Sequence, residues 1–286
     1  MIVGDIMDGI LIVNKPKGMT SHDVVNLIRK KFKTKKVGHC GTLDPDATGV
    51  LVVAVNKATK VLQFLTSDSK EYIATLKLGI ATDSYDASGN IVATKEYLGV
   101  SEATVKECLA SFLGVQKQLP PIYSAIKVNG KKLYEYARNN EDVEIKERTI
   151  EINKIDFIKQ ENDLIQFKVS CSKGTYIRSL CVDIAKKLGY PGHMSDLIRS
   201  RSGIFSLEKS YTLEQIEHDE YQLLSIEEAL SDYPKLVIND EKIVYHGKKI
   251  KSDLTGQTAI YNQAGKLLAI YGPDGNGYLK NIRGLW

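Results

Sequence analysis

The sequence predicts an α+β fold: a body over residues 1–233 built from a mixed, mainly antiparallel sheet with flanking helices, then a small β-rich unit over 234–286. Three observations carry that reading. Apolar β-branched runs such as Val50–Val55 interleave with segments whose apolar residues recur at helical spacing, as at Val24, Val25, Leu27, Ile28 and Phe32. The two longest strand-like runs, Thr149–Lys159 and Leu164–Cys171, face each other across Glu161-Asn162-Asp163, which reads as a hairpin turn. After Tyr233-Pro234 the pattern changes to short strand-like runs separated by glycine turns.

Taken in order, Gly9–Val13 is a short apolar strand ending in the turn Lys15-Pro16-Lys17-Gly18. Thr20-Ser21 caps a helix whose end carries Lys30, Lys31, Lys33, Lys35 and Lys36, cations that suit the negative C-terminal end of a helix dipole. Residues 38–49 have no period and read as a polar loop running into the buried strand Val50–Val55. Lys70–Leu78 alternates in its second half and predicts a strand, and Asp83–Asn90 is turn-rich. Ser101 caps a helix through Val105, Leu109 and Phe112 that Gly114 closes. Pro120–Ala125 should be extended, because each proline disfavours helix before it. Asn129-Gly130 is a turn, followed by a helix through Leu133, Tyr134 and Ala137. Thr175–Leu188 is a helix with Ile177, Leu180, Cys181, Ile184 and Leu188 on one face, stopped by Gly189.

Composition narrows the class. The chain has 286 residues, 43% hydrophobic and 26% charged, which fits a globular protein and excludes wholesale disorder. No stretch reaches the ~18 consecutive apolar residues of a membrane span. The opening Met1-Ile2-Val3-Gly4-Asp5 has no basic stretch followed by an apolar run, so a cytoplasmic location is expected. Cys40, Cys108, Cys171 and Cys181 form no Cys-x-x-Cys pair, so reduced packing cysteines are expected and no metal site. Without heptads or surplus apolar stripes, a monomer is expected.

The net charge of +4 hides a segregation. Residues 1–60 carry 10 Lys/Arg against 5 Asp/Glu, residues 61–233 carry 21 against 26, and residues 234–286 carry 8 against 4. Basic ends around an acidic middle point to a polyanion touched by both ends, since phosphate neutralisation depends on local basic density. A solvated basic face accounts for the charge alone equally well.

The polar loop is where chemistry would sit. It offers His39, Asp44 and Asp46 among glycines. Asp44 precedes Pro45 and is pushed toward extended backbone. Standing alone, an Asp in such a loop is a turn-former or a cap, and a lone His a surface residue. Neither has a neighbour of the kind a catalytic dyad or metal site needs.

The motif itself is more specific. Gly38-His39-Cys40-Gly41-Thr42-Leu43-Asp44-Pro45-Asp46-Ala47-Thr48-Gly49-Val50-Leu51 resembles the G-H-x-G-T-L-D-P-x-A-T-G-V-L signature of the TruB family of tRNA pseudouridine synthases. Further blocks resemble that family in the same order: Asn14–Ser21, Lys70-Glu71-Tyr72, Pro120–Ala125, Gly130–Arg138, Ser172–Arg178 and Gly192–Arg199. The likeness spans about residues 9 to 205 and, more loosely, the tail. Asn56, Cys40 and Ile198 depart from the residues common in the family at those positions.

The resemblance implies a pseudouridine-synthase-type sheet with a small PUA-like RNA-binding module at 234–286. It implies isomerisation of uridine-55 in the tRNA T loop to pseudouridine, with tRNA as the partner, no cofactor, no metal and no protein partner. Asp44 falls on the family's catalytic carboxylate and Arg178 on the arginine that pairs with it, its guanidinium fork suited to a two-point hold. Tyr72 falls on the aromatic that stacks on the target base, with a phenol able to take the C5 proton. Tyr176 falls on a second tyrosine of the pocket, Leu197 on an apolar contact to uracil, and His39 on the residue that fills the space an extruded base leaves. Lys15 belongs to a structural element without chemistry of its own. Two other readings compete: an RNA-holding module without catalysis, and a related synthase with another target, such as rRNA or a guide-directed complex. Asp44, Tyr72 and Arg178 together disfavour the first; guide-dependent relatives usually carry long, often Lys-rich extra tails, which are not expected here.

Overall fold

A computed structural model describes residues 7–66, 69–139 and 141–286. The opening segment Met1–Asp5 lies outside the described residues. The first part of the chain runs β1 (Gly9–Lys15), α1 (Ser21–Lys31), β2 (Val37–Cys40), β3 (Thr48–Val55) and a 3-10 segment (Asn56–Phe64). It continues through β4 (Ser69–Leu78), β5 (Ile80–Thr82), β6 (Ile91–Thr94), α2 (Glu102–Ala110) and β7 (Gly114–Gln118). Next come β8 (Lys127–Val128), β9 (Lys131–Lys132), α3 (Leu133–Arg138), β10 (Arg148–Glu161), β11 (Leu164–Ser172), α4 (Ile177–Lys187), β12 (Gly192–Ser202) and β13 (Phe205–Ser206). Short helices α5 (Leu213–Glu217) and α6 (Ile226–Ala229) lead to β14 (Lys235–Ile238), α7 (Lys242–Tyr245), β15 (Ile250–Lys251), β16 (Thr258–Asn262), β17 (Leu267–Pro273) and β18 (Tyr278–Gly284).

The large sheet has the order β1-β3-β12-β4-β11-β10-β7, with β2 added on β3 and β13 on β12. All its pairings are antiparallel except the short parallel contact of β12 with β3. Burial explains the strand patterns. In β1 and β3, Leu11, Val13, Leu51, Val53 and Val55 pack under α1, while Ile10, Ile12, Val50, Val52 and Ala54 pack against the 3-10 segment and the tail. With both faces covered, Val50–Val55 reads as a continuous apolar run. β4 alternates because Tyr72, Ala74, Leu76 and Leu78 fill one face, in a core shared with α2 and α4. Burying Leu76 or Leu78 contributes about 1.5–3 kcal/mol each.

The N-caps predicted at Thr20 and Ser101 are in place, whereas Gly114, expected to close α2, instead opens β7. Thr20 and Asp23 form a reciprocal capping box at α1, and Ser101 caps α2. Three boundaries move. Residues 37–40 are not loop: β2 lies antiparallel to β3, with His39 opposite Val53, so the loop shrinks to 41–47. A polar sequence hides this strand because its hydrogen bonds are made to a neighbour already buried. α2 ends at Ala110, short of Phe112, and α4 begins at Ile177 with Tyr176 as its cap. Leu27, placed in the α1 stripe, stays exposed.

The tail forms its own sheet, order β14-β16-β17-β18-β15. Ala259, Tyr261, Leu267 and Ile270 join the body's core on one side, and Ile260, Leu268, Tyr271 and Leu279 form a separate core on the other.

Candidate active site

The loop between β2 and β3 is pinned on both sides of Asp44. The Ser21 hydroxyl, at the start of α1, accepts from Leu43 N at 2.9 Å and donates to Leu43 O at 3.2 Å. One residue beyond Asp44, Pro45 O accepts from Gly18 N and from Lys15 Nζ, each at 2.9 Å. Lys15 is buried, and its ammonium also donates to Pro16 O at 2.8 Å and Met19 O at 2.6 Å. Burial lowers its pKa to about 8, against the opposing pull of Asp46 and Asp44.

Asp44 stands over a cleft of about 120 Å³ that it lines with Tyr72, Tyr176, Arg178, Leu197 and Thr42. Arg178, on α4 and 7% exposed, sets its Nε 3.0 Å from Asp44 Oδ2, while the carboxylate itself keeps 45% of its side-chain surface open. The expected two-point hold is not what forms. Only Nε meets Asp44; Nη1 lies 3.5 Å from Asp86 Oδ2 and donates to Ser84 O at 3.2 Å, and Nη2 donates to Tyr123 O at 3.0 Å. One guanidinium therefore serves two carboxylates and two carbonyls. Loss of solvent pushes the Asp44 carboxyl above its usual value, Arg178 pulls it down, and the Asp86 charge pushes it up again.

Asp86 is the residue of this site that sequence reasoning missed. Its segment Asp83–Asn90 carries only turn signals, and Arg178 is remote in sequence. The loop is shaped for the contact: Tyr85 sits at φ +66°, between the Ser84 carbonyl and the Asp86 carboxylate that both face Arg178. A bulky residue in that region stores about 1–3 kcal/mol. Ser84 and Ser88 hydroxyls donate to Asp86 Oδ1 at 2.7 and 2.6 Å.

The other candidates divide. Tyr72 lies on β4 with its ring buried, and burial raises its phenol pKa despite the nearby Arg199 charge, so it rests as a neutral phenol. Tyr176 is held by its backbone: buried Gln118 accepts from Tyr176 N at 2.8 Å and donates to Tyr176 O at 3.0 Å. Leu197 comes from the central strand β12. His39 is not in the lining; it sits half-buried on β2, its Nδ1 enclosed without a hydrogen-bond partner and its pKa lowered by burial.

A far larger cleft, about 1120 Å³, opens at the other end of α1, lined by Lys31, Lys33, Lys36, Lys57 and Lys60 beside Phe32 and Tyr221. Ser21, at the start of α1, holds Leu43 of the small cleft, and Lys31, about 15 Å along the same helix, lines the large one. Size does not decide between them. The small cleft alone joins a half-open carboxylate to a buried cation and aromatic walls.

Comparison with known proteins gives the class. The chain superposes on a chain of a Cbf5–Nop10–Gar1 complex with TM-score 0.75 at 28% identity, covering 97% of this chain and 85% of that one. An archaeal box H/ACA Nop10–Cbf5 complex gives TM-score 0.74 at 25% identity, covering 98% and 87%. The fold is that of a pseudouridine synthase with a C-terminal PUA-like sheet. Residues 29–177 match the N-terminal domain of the TruB family pseudouridylate synthases, and 178–233 match the tRNA pseudouridylate synthase B C-terminal domain. The proteins named tRNA pseudouridine synthase B of Bacillus anthracis and Halalkalibacterium halodurans are 43% and 46% identical, over 97% and 96% of both chains. The chain belongs to the TruB family of pseudouridylate synthases.

Proposed function

We propose that this enzyme converts uridine-55 in the T loop of tRNA to pseudouridine, with Asp44 as the essential carboxylate. The observation that carries the proposal is the Asp44–Arg178 pair at 3.0 Å over a cleft walled by Tyr72, Tyr176 and Leu197. The N1–C1′ bond breaks, the uracil turns, C5 bonds to C1′, the C5 proton leaves and N1 gains a proton. Nothing is oxidised or reduced, so the electron balance closes without a cofactor.

Asp44 meets positive charge growing at C1′. An ionised carboxylate adds to C1′ or takes the C2′ proton to give a glycal, and both routes need the charge that Arg178 favours. Tyr72 stacks on the base and, as a neutral phenol, offers an oxygen lone pair to the C5 proton. Tyr176 and Leu197 bound the base. His39, kept neutral by its burial, fills the gap left by the extruded nucleotide.

The lysine-lined cleft and the tail take the stem by shape and phosphates. Lys60 Nζ donates to Trp286 O at 2.7 Å and Arg283 Nε to Lys60 O at 3.3 Å, so the two basic regions adjoin. Residues 234–286 then act as the PUA-like RNA-binding domain beside the catalytic domain 1–233. No helix among the described residues is long and apolar enough to cross a membrane. We infer that the enzyme acts on tRNA in the cytoplasm as a single chain.

The test is to incubate unmodified tRNA with the parent and with Asp44→Asn and map pseudouridine chemically. One modified site with the parent and none with the variant, at unchanged tRNA binding, is expected. Product at other positions, or an active variant, overturns the proposal.

A further inference from the structure

We propose that Arg199 is a positioning residue of the reaction, whose single buried guanidinium holds the Asp44 loop in register with the Tyr72 ring. The proposal rests on the reading of Asp44 as the reacting carboxylate.

Arg199 is 1% exposed and heads the fully buried side chains by size. It lies on β12, between β3 and β4 at the centre of the sheet. Its Nε donates to Val50 O at 2.7 Å and its Nη2 to Gly41 O at 2.7 Å. Those two carbonyls stand on either side of the segment that carries Asp44, so the guanidinium spans the base of the loop. Across the β12–β4 ladder the Cα partner of Arg199 is Tyr72, which puts both side chains on one face.

The loop is built to approach this side chain. A Cβ at Gly41 would sit 3.3 Å from Arg199 Nη1, and one at Gly49 only 2.3 Å from Arg199 O. Among the described residues no Asp or Glu pairs with Arg199, so a buried cation is retained on carbonyl hydrogen bonds, an expensive arrangement where an apolar side chain would pack. Its charge bears on Tyr72 as the leading influence opposing burial. The guanidinium reaches no substrate; it acts through the loop and the ring.

The experiment measures single-turnover rate and tRNA Kd for Arg199→Lys, Tyr72→Phe and the double variant, with Asp44→Asn alongside. Expected is a rate loss on the order of 10²-fold for Arg199→Lys, as for a small misplacement of reacting groups, with Kd within about twofold of the parent. The Tyr72→Phe and Arg199→Lys losses should be less than additive. A folded Arg199→Lys with a rate within about twofold of the parent, a loss matched by weaker binding, or full additivity overturns the proposal. If Arg199→Lys does not fold, Gly41→Ala, which presses on the same guanidinium, is measured instead; an undiminished rate there overturns it equally. An active Asp44→Asn would sink the reading of Asp44, whereas an undiminished Arg199→Lys beside an inactive Asp44→Asn sinks only the role of Arg199.

Discussion

Arg178 meets Asp44 through one nitrogen, Nε at 3.0 Å, and gives the rest of its guanidinium to other partners. The pairing leaves Asp44 Oδ1 without a claim from Arg178 and the carboxylate half open, which suits the role proposed for it at the ribose. It also makes the arginine irreplaceable by a point charge. Arg178→Lys can satisfy one of the two carboxylates, leaving buried carbonyls unpaired. We expect a fall in rate on the order of 10²–10³-fold and a stability loss of roughly 2–3 kcal/mol in urea melts.

The pH profile should bear the mark of Asp44. Because burial raises its carboxyl above the usual value of 3.8, the acid limb of the single-turnover rate should lie above pH 3.8. Asp86 is one of the groups raising it, so Asp86→Asn should move that limb to lower pH. A carboxyl raised on folding contributes stability that is full below its unfolded pKa and lost as pH rises through its folded value. At neutral pH it is a liability, and Asp44→Asn should abolish turnover without lowering the melting temperature.

Lys15 sets the opposite limb. Its pKa of about 8 leaves it charged below that pH and neutral above. Loss of the ammonium weakens its hold on Pro45 O and removes a cation favourable to Asp44, so the rate should decline above about pH 8. Lys15→Arg, charged throughout, should remove that decline. Stability runs the other way: the folded state binds fewer protons than the unfolded between about 8 and 10.5, so this group's contribution grows with pH across that window and falls away as pH drops through 8. The stability difference between parent and Lys15→Met, followed from pH 8 to 10.5, checks the sign.

Binding should depend on salt. Replacing Lys33 and Lys36 together by Gln should weaken tRNA affinity and flatten the slope of log K against log salt by about one per lysine that contacts phosphate. An unchanged slope would remove the cleft at the end of α1 from the tRNA interface.

Gly49 tests the packing of the loop. With φ +99° and Arg199 O 2.3 Å from where its Cβ would lie, Gly49→Ala combines backbone strain with a clash against main chain. A destabilisation of at least about 3 kcal/mol in urea melts is expected.

Much of the local structure was legible. Thr20-Ser21 marked the start of α1, and Asn162, at φ +55°, turns the β10–β11 hairpin where the sequence placed it. The stripe of Ile177, Leu180, Cys181 and Ile184 announced α4. The family resemblance singled out Asp44, Tyr72, Tyr176, Arg178 and Leu197, and these line one cleft. The central strand β12 went unread, because Gly192–Ser202 mixes His, Asp and two arginines among few apolar residues. Its Arg199 carries the mark of an exposed side chain, and only the carbonyls of Gly41 and Val50 make it a core residue.

The amino-acid order settled what depends on near neighbours: which segments hide one face and where caps and turns fall. Those properties arise from backbone preference and solvent exclusion acting over a few residues. The resemblance of the loop motif to a known family, not local physics, pointed to Asp44. The assembled fold alone determined that Arg178 divides itself between Asp44 and Asp86, that Lys15 and Arg199 lie buried as cations, and that His39 stands apart from the cleft. Each of these turns on a hydrogen bond or a charge felt between residues far apart in the chain, at distances that exist only once the sheet has closed around them.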